Sequence, residues 1–299
     1  MKNYFNTLRA VLTIITLVIS TTAVFFPILF FGLCKLIPIK ASQAFWTRQV
    51  DKIVTLWCDI NNFYIDRLKA VNWEMTGLDA VTWQNSHLVI ANHQSWLDIV
   101  VLQRLFNRKI PVLKFFIKDQ LKWMPLLGFS WWAMGCPFMK RYTKDYLEKH
   151  PHKRGKDLKA TIKALRIFQA TPATITSFVE GTRFTQDKST HQKSPFTHLL
   201  KPKAGGISFV IGTMGEKIQN ILDVTIVYDK KHSSLWDFLC NRMDTIKIHV
   251  RALPIPTHFC NTKLMSCETL QAELREWLNE RWGEKDAIIT NLSSVAASA

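Results

Sequence analysis

The sequence predicts an α/β fold in which strands alternate with helices, preceded by an N-terminal membrane segment. Two observations support this prediction. No charged residue occurs from Ala10 to Cys34, a run of 25 residues. Beyond residue 80, short apolar or alternating segments typical of strands alternate with segments whose apolar residues recur at helical spacing. With 299 residues, the chain is long enough for one large domain with a substantial core.

The uncharged run predicts a membrane anchor within residues 1–40. At 1.5 Å per residue in a helix, the run can cross a bilayer core of about 30 Å. It is too long for the apolar part of a secretory signal, and no A-x-A cleavage site follows it. Basic residues flank it on both sides, so the orientation stays open. Pro27 and Pro38 allow either a span or a bent hairpin that re-emerges on the same face.

The elements after the anchor follow from hydrophobic periodicity. Residues 41–72 are predicted as a linker and an amphipathic helix, residues 73–285 as the α/β domain, and residues 286–299 as a loose tail. Strands are predicted at 87–92, at 110–118, at 173–184 with a turn at the end, at 221–228, and at 245–253 with one face in solvent. Helices are predicted at 96–106, 157–168, 205–214 and 270–278. A second uncharged stretch, 123–139, is short for a span, and we expect it to be buried or to dip into the membrane interface.

Composition limits the class of partner. The formal net charge is +16, and so basic a surface suits nucleic acid, an anionic membrane or a phosphorylated substrate. The six cysteines are scattered without C-x-x-C spacing, which favours reduced packing residues in a cytosolic environment. The histidines are dispersed and no H-E-x-x-H occurs. We therefore expect no metal and no cofactor.

The segment SHLVIANHQSWLDIVVL, residues 86–102, contains the first candidate site. A lone histidine at a turn is commonly a surface or core residue, and a lone aspartate near a helix start is commonly a cap. Residues five apart on a helix point about 140° from each other, so His93 and Asp98 can meet only if the helix begins after His93. That arrangement places an imidazole at the carboxyl end of a strand, where open α/β sheets bind their ligands.

Three further segments are rich in phosphate-binding side chains. The candidate residues are Lys140 and Arg141 at the end of MGCPFMKR, Glu180, Gly181, Thr182 and Arg183 in FVEGTRFT, and Lys203 ahead of a glycine-rich helix start. Gly181 lets the backbone approach a ligand closely, Thr182 supplies a hydroxyl, and Arg183 can direct two donors at a phosphate. A helix start flanked by lysines also favours anions. Each segment alone is equally compatible with ordinary turn chemistry.

In chain order, NHQSWLD, the G…PFMKR segment, FVEGTRFT and the DVTIVY strand resemble the four sequence blocks of the 1-acylglycerol-3-phosphate acyltransferase family. The resemblance covers residues 80–230 and is closest to the family's membrane-bound bacterial members. It implies a single glycerolipid-acyltransferase-like domain with a mixed, mostly parallel sheet flanked by helices. It also implies attachment to the bacterial inner (cytoplasmic) membrane, with the active site on the cytoplasmic face.

The resemblance further implies that His93 is the general base and that Asp98 is the carboxylate that orients it. The acyl group would pass from acyl-ACP or acyl-CoA to the free hydroxyl of a lysophospholipid, above all 1-acylglycerol-3-phosphate, without an acyl-enzyme. The side chains implied to hold the acceptor phosphate are those of Lys140, Arg141, Arg183 and Lys203. The residues implied to shape that pocket are Glu180, Gly181 and Thr182.

Two alternatives stay open. One is a different lysophospholipid acceptor, such as lysocardiolipin or a lipid with a lysophosphatidylinositol-like head group. The other is a basic, membrane-associated nucleic-acid-binding protein, which accounts for the charge and the anchor. No helix-turn-helix, RRM or zinc-finger pattern occurs, however, and the pair of His93 and Asp98 would then have no role. The expected partners are therefore a lysophospholipid, an acyl thioester and the bilayer, with no nucleic acid.

Overall fold

The computed structural model describes residues 2–69, 71–81, 85–139, 165, 172–228 and 234–294. Its strands are β1 (Asn72–Thr76), β2 (Ser86–Ala91), β3 (Leu113–Phe115), β4 (Ile117–Lys118), β5 (Phe138–Met139), β6 (Thr174–Phe178), β7 (Ile218–Tyr228) and β8 (Thr245–Leu253). Its α-helices are α1 (Lys2–Cys34), α2 (Lys40–Leu68), α3 (Leu97–Phe106), α4 (Leu127–Met134), α5 (Gln186–Gln192), α6 (Ala204–Met214), α7 (Leu235–Leu239) and α8 (Glu268–Ser294). Short 3-10 turns lie at Leu78–Ala80, Asp119–Trp123, Gly215–Lys217, Thr257–Phe259 and Thr262–Met265.

The main sheet has the strand order β1-β8-β7-β2-β6-β3. Neighbouring strands run parallel except for β7 and β8, which are antiparallel. The predicted mixed, mostly parallel sheet is therefore confirmed. Strand β2 lies between β6 and β7, and all six of its residues are buried, as expected for a central strand covered on both faces.

Alternate residues of the central strands face two cores. Leu88 and Ile90 face a core that includes apolar side chains of α6 and α8. Val89 and Ala91 point the other way, into a core completed by α3. This alternation follows from the two-residue repeat of a strand. The turn between β2 and α3, which contains His93, is therefore supported by a helix that is packed on the sheet.

The N-terminal segment is a helical hairpin. Helix α1 continues through Pro27, and the chain then turns back into α2. The two helices are antiparallel, because Trp57 Nε1 donates to Thr21 Oγ1 (3.2 Å) while Phe31 stacks on Trp46. In the described part of the chain, Asn6–Cys34 is the one helical stretch long and apolar enough to cross a membrane. Only 11% of the residues in its most apolar 18-residue segment are buried.

The second uncharged stretch packs against this hairpin. It forms a 3-10 turn, α4 and β5, so it is not a continuous span. Ala133 of α4 is buried in one cluster with Ile28 of α1 and Val50 of α2. Trp123 and Trp132 remain exposed. The expectation of burial is therefore confirmed for the inner face of α4, and the two tryptophans lie on the surface.

Helix α8 corrects two predictions. It continues to Ser294, and Ile289 is buried, so residues 286–294 are not a loose tail; residues 295–299 lie outside the described chain. The helix also covers the polar face of β8, where solvent was expected. There Lys247 Nζ donates to Leu292 O (3.0 Å), and Arg251 bridges to Glu284 (2.7 Å). Pairing with the helix replaces the water that these charges would otherwise need.

One further prediction is met in part, and another falls almost wholly outside the described residues. The predicted strand 110–118 divides into β3 in the main sheet and β4, which pairs with β5 in a separate two-stranded sheet. The predicted helix 157–168 lies outside the described residues except for Leu165, which is helical and buried. All six cysteines are free, and Cys58, Cys136 and Cys240 are buried.

Candidate active site

The side chains of His93 and Asp98 meet. Strand β2 ends at Ala91 and α3 begins at Leu97, so His93 lies in the turn between them. Its Nδ1 atom is 2.7 Å from Asp98 Oδ2. The side chain of His93 is 16% exposed and that of Asp98 is 1% exposed. The pair thus combines an imidazole that a substrate can reach with a carboxylate that water cannot.

The Asp98 carboxylate is fully bonded. Its Oδ2 atom accepts from the backbone amides of Gln94 (2.6 Å) and Ser95 (2.9 Å), as an acidic residue in a first helical turn often does. Its Oδ1 atom accepts from the Tyr228 hydroxyl (2.5 Å). A carboxylate held in this way accepts a hydrogen bond from the Nδ1–H group of His93. In the neutral ring, that tautomer has an unprotonated Nε2, which can act as a base.

The ring and backbone of His93 are both fixed by β6 and the turn after it. The imidazole stacks on Phe178, with ring centroids 4.0 Å apart and planes 15° apart. The backbone amide of His93 donates to Glu180 Oε1 (2.9 Å), and its carbonyl accepts from the Phe184 amide (2.7 Å). The EGTR turn is therefore packed directly beside the histidine, although 87 residues separate His93 from Glu180 in sequence.

Glu180 is a buried link between two loops. Its Oε2 atom accepts from the Leu200 amide (2.9 Å) while Oε1 accepts from His93. Burial raises the pKa of Glu180 to about 7, and the two amide hydrogen bonds oppose that rise. The side chain points into the protein and away from solvent, so any part that Glu180 has in an acceptor pocket is indirect, through the backbone of His93.

In the rest of the EGTR turn, Gly181 and Thr182 are half-buried and Arg183 is exposed. Gly181 has a positive φ of 73°, a conformation that glycine adopts without strain. Lys188 of α5 donates to Thr182 Oγ1 (3.0 Å) and to Arg183 O (2.9 Å), which fixes the turn. The Arg183 guanidinium is exposed and lies 5.3 Å from the centre of the Trp96 ring. Arg183 is therefore a solvent-facing cation beside the turn that carries His93 and Trp96.

An open groove of about 470 Å³ lies at the turn between β2 and α3, and neither His93 nor Asp98 is among its lining residues. The groove is lined by Gln94, Ser95, Trp96, Arg183, Ser234, Leu235, Trp236 and Leu239. Lys203 lies close to the same turn, because its amide donates to Val179 O (2.8 Å), and its side chain is exposed. Lys140 and Arg141 lie outside the described residues. The structure thus brings Arg183 to the groove and Lys203 to the adjoining turn.

Sequence reasoning missed two residues of this site. Asn92 donates to Ile226 O (2.9 Å) and accepts from Ile226 N (2.8 Å), so its side chain extends the pairing of β2 with β7. Tyr228 bonds Asp98 from the end of β7. Asn92 adjoins His93, which is a local signal. Tyr228 is 130 residues from Asp98, and only the strand order reveals it.

Comparisons with known proteins identify the family of this chain. The family model described as "Acyltransferase" matches residues 72–229. The chain is 25% identical over 279 residues to 1-acyl-sn-glycerol-3-phosphate acyltransferase epsilon from Mus musculus, covering 86% of this chain and 70% of that protein. It is 23% identical over 278 residues to Lysocardiolipin acyltransferase 1 from Mus musculus, and this match covers 86% of this chain and 67% of that protein.

A solved structure shares the fold. The crystal structure of the 1-acyl-sn-glycerophosphate (LPA) acyltransferase PlsC from Thermotoga maritima superimposes with a TM-score of 0.55 at 16% sequence identity. The match covers 97% of this chain and 98% of that one. The similarity therefore extends over the N-terminal hairpin as well as the α/β domain.

Proposed function

Because this chain belongs to the acyltransferase family, we propose that it transfers a fatty acyl group from acyl-ACP or acyl-CoA to the free hydroxyl of a lysophospholipid. The proposed acceptor is 1-acylglycerol-3-phosphate, and the product is then phosphatidic acid. The observation that carries the proposal is the contact between His93 and Asp98 at a turn whose residues Gln94, Ser95 and Trp96 line an open groove. The names of the relatives support an acceptor of this class.

In the proposed mechanism, His93 activates the acceptor. A glycerol hydroxyl is too weakly acidic to attack a thioester unaided, so Nε2 removes its proton as the new C–O bond forms. The charge that develops on the ring is stabilised by Asp98. The C–S bond then breaks, and the leaving thiolate takes the proton back from the imidazolium. The acyl group reaches the acceptor directly, without an acyl-enzyme.

Arg183 is proposed to seat the acceptor phosphate. Its exposed guanidinium can form two parallel hydrogen bonds with a phosphate, and Lys188 holds its backbone in place. Lys203 is proposed as a second cation, with Lys140 and Arg141 as further candidates. Through the backbone of His93, Glu180 would keep the phosphate site and the base in fixed relation.

The first prediction concerns the membrane. We propose that α1 anchors the enzyme in the bacterial inner membrane, with the active site on the cytoplasmic face. Deleting residues 1–40 should remove stable attachment or cause aggregation, since the deletion also uncovers Val50 and Ala133, which pack around α1. The measurement is sedimentation with membranes, with deletion of residues 295–299 as the control. A truncated protein that is soluble, monomeric and fully active on bilayer substrate would contradict the anchor.

The second prediction concerns the acceptor. Purified full-length protein should acylate 1-acylglycerol-3-phosphate faster than other lysophospholipids in a panel with a common acyl donor. A second candidate acceptor is lysocardiolipin, because one relative is named for it and the groove has room beyond a single phosphate. Faster transfer to lysocardiolipin would change the assigned acceptor and leave the assigned reaction, acyl transfer, unchanged. No transfer to any member, together with salt-sensitive nucleic-acid binding that His93→Ala leaves unchanged, would favour the nucleic-acid alternative.

A further inference from the structure

Tyr228 contacts the proposed catalytic pair from a distant strand. It is the last residue of β7 and is buried, with 8% of its surface exposed. Its hydroxyl donates to Asp98 Oδ1 (2.5 Å). None of the roles proposed above for the base or the phosphate site uses this residue.

Strand β7 is built to place Tyr228 there. The pairing of β2 with β7 reaches Ala91 and Val224, and β7 continues beyond it for four more residues. Asn92 bonds both the amide and the carbonyl of Ile226, which holds this overhang beside the turn. Tyr228 is two residues further along, so its side chain lies on the same face as that of Ile226 and reaches the first turn of α3.

The two oxygens of Asp98 are thereby given different partners. Oδ2 serves His93 and two backbone amides, whereas Oδ1 has the Tyr228 hydroxyl. We propose that Tyr228 is a positioning residue for acyl transfer, which holds the Asp98 carboxylate so that Oδ2 stays aligned with Nδ1 of His93. This inference rests on the proposed function, in which His93 is the base.

The phenol is suited to a role as permanent donor. Burial raises the pKa of Tyr228 well above its ordinary value, and the neighbouring Asp98 charge raises it further. The hydroxyl therefore stays protonated and keeps donating over the neutral range. Without it, Oδ1 would be a buried carboxylate oxygen with no donor, and the carboxylate would be held through Oδ2 alone.

The third prediction tests this role. Tyr228→Phe keeps the buried ring and removes only the hydroxyl, so we expect kcat to fall about ten- to a hundredfold, the size of one hydrogen bond to a charged group. KM for the acceptor should stay nearly unchanged, because the hydroxyl touches no substrate. Tyr64→Phe in α2 is the matched control and should behave as wild type. Equal kinetics of the Tyr228 and Tyr64 variants would overturn the proposal.

A double-mutant cycle separates positioning from general damage to the fold. If Tyr228 acts through Asp98, then Tyr228→Phe should cost little more once Asp98→Asn has removed the carboxylate. Losses that multiply in the double variant would overturn the proposal. His93→Ala belongs in the same series. If it retains wild-type activity, the proposed base is wrong. If His93→Ala loses activity and Tyr228→Phe does not, the role of Tyr228 is wrong and the assignment of the base stands.

Fluorinated tyrosines at position 228 cover the case in which the phenylalanine variant does not fold. They keep the ring and the hydroxyl and differ in the acidity of the phenol. The strength of the hydrogen bond to Oδ1 sets how firmly Asp98 is held against His93, so kcat should change steadily with the acidity of the phenol. A kcat that does not depend on phenol acidity would overturn the proposal.

Discussion

We expect His93→Ala to lower kcat for acyl transfer by about a hundred- to ten-thousandfold, the usual contribution of a positioned general base. The protein should stay folded and membrane-bound. The ring is partly exposed, and the Asp98 carboxylate keeps its bonds to Gln94, Ser95 and Tyr228 when the imidazole is gone. The loss should therefore be one of chemistry. It is measured as the initial rate of phospholipid formation at saturating acceptor and donor.

Two further variants help to interpret the loss of activity in His93→Ala. Asp98→Asn should be severe as well, because an amide cannot stabilise the imidazolium as a carboxylate does. His258→Ala is the matched control, since this histidine has 55% of its side chain exposed and lies in a 3-10 turn outside the groove. Substantial turnover by His93→Ala, with circular dichroism and membrane attachment as in wild type, would contradict the assignment of the base.

Loss of the Arg183 guanidinium should have the second largest effect. Hydrogen bonds between charged groups are worth roughly 1.5–3 kcal/mol, or about ten- to a hundredfold in affinity. Arg183→Ala should lower kcat/KM for the phosphate-bearing acceptor by about that factor, because a misplaced phosphate also moves the hydroxyl away from His93. Arg183→Lys should be impaired less, since lysine keeps the charge and loses the paired donors.

Slow transfer to water separates phosphate binding from other roles of Arg183. Hydrolysis of the donor needs no phosphate seat, so Arg183→Ala should affect it much less than transfer to the acceptor. Arg275→Ala, at an exposed arginine of α8 outside the groove, is the matched control. If hydrolysis and transfer fall equally in Arg183→Ala, the residue serves the donor or the fold, and the phosphate assignment fails.

The sequence was most informative where chemistry is local. The apolar run before Asn92 and the helical pattern after Trp96 predict a strand, a turn and a helix, and the structure has all three. That order allows the side chains of His93 and Asp98 to meet. In the structure, His93 Nδ1 lies 2.7 Å from Asp98 Oδ2. Periodicity was enough because strand, turn and helix are set by neighbouring residues.

Prediction was weakest where partners are distant in sequence. The alternating polar residues of β8 indicated a face in solvent, but Arg251 pairs with buried Asp223 (2.6 Å) and with Glu284 of α8. Lys285, fully buried in the same helix, lies 2.6 Å from Asp223. The inward direction of the Glu180 side chain and the contact of Tyr228 with Asp98 could not be predicted from the sequence for the same reason. No local pattern shows which helix covers a strand or where a strand overhangs its neighbour.

A rapid-quench experiment with a donor labelled in its acyl group tests the central claim most directly. The full-length protein is mixed with the donor and 1-acylglycerol-3-phosphate, and the label is followed in protein and lipid. Direct transfer by His93 predicts that labelled phospholipid forms as fast as the carrier thiol is released, with no label on the protein, and that His93→Ala stops both. Label that appears on the protein before the lipid, or transfer that continues unchanged in His93→Ala, would contradict it.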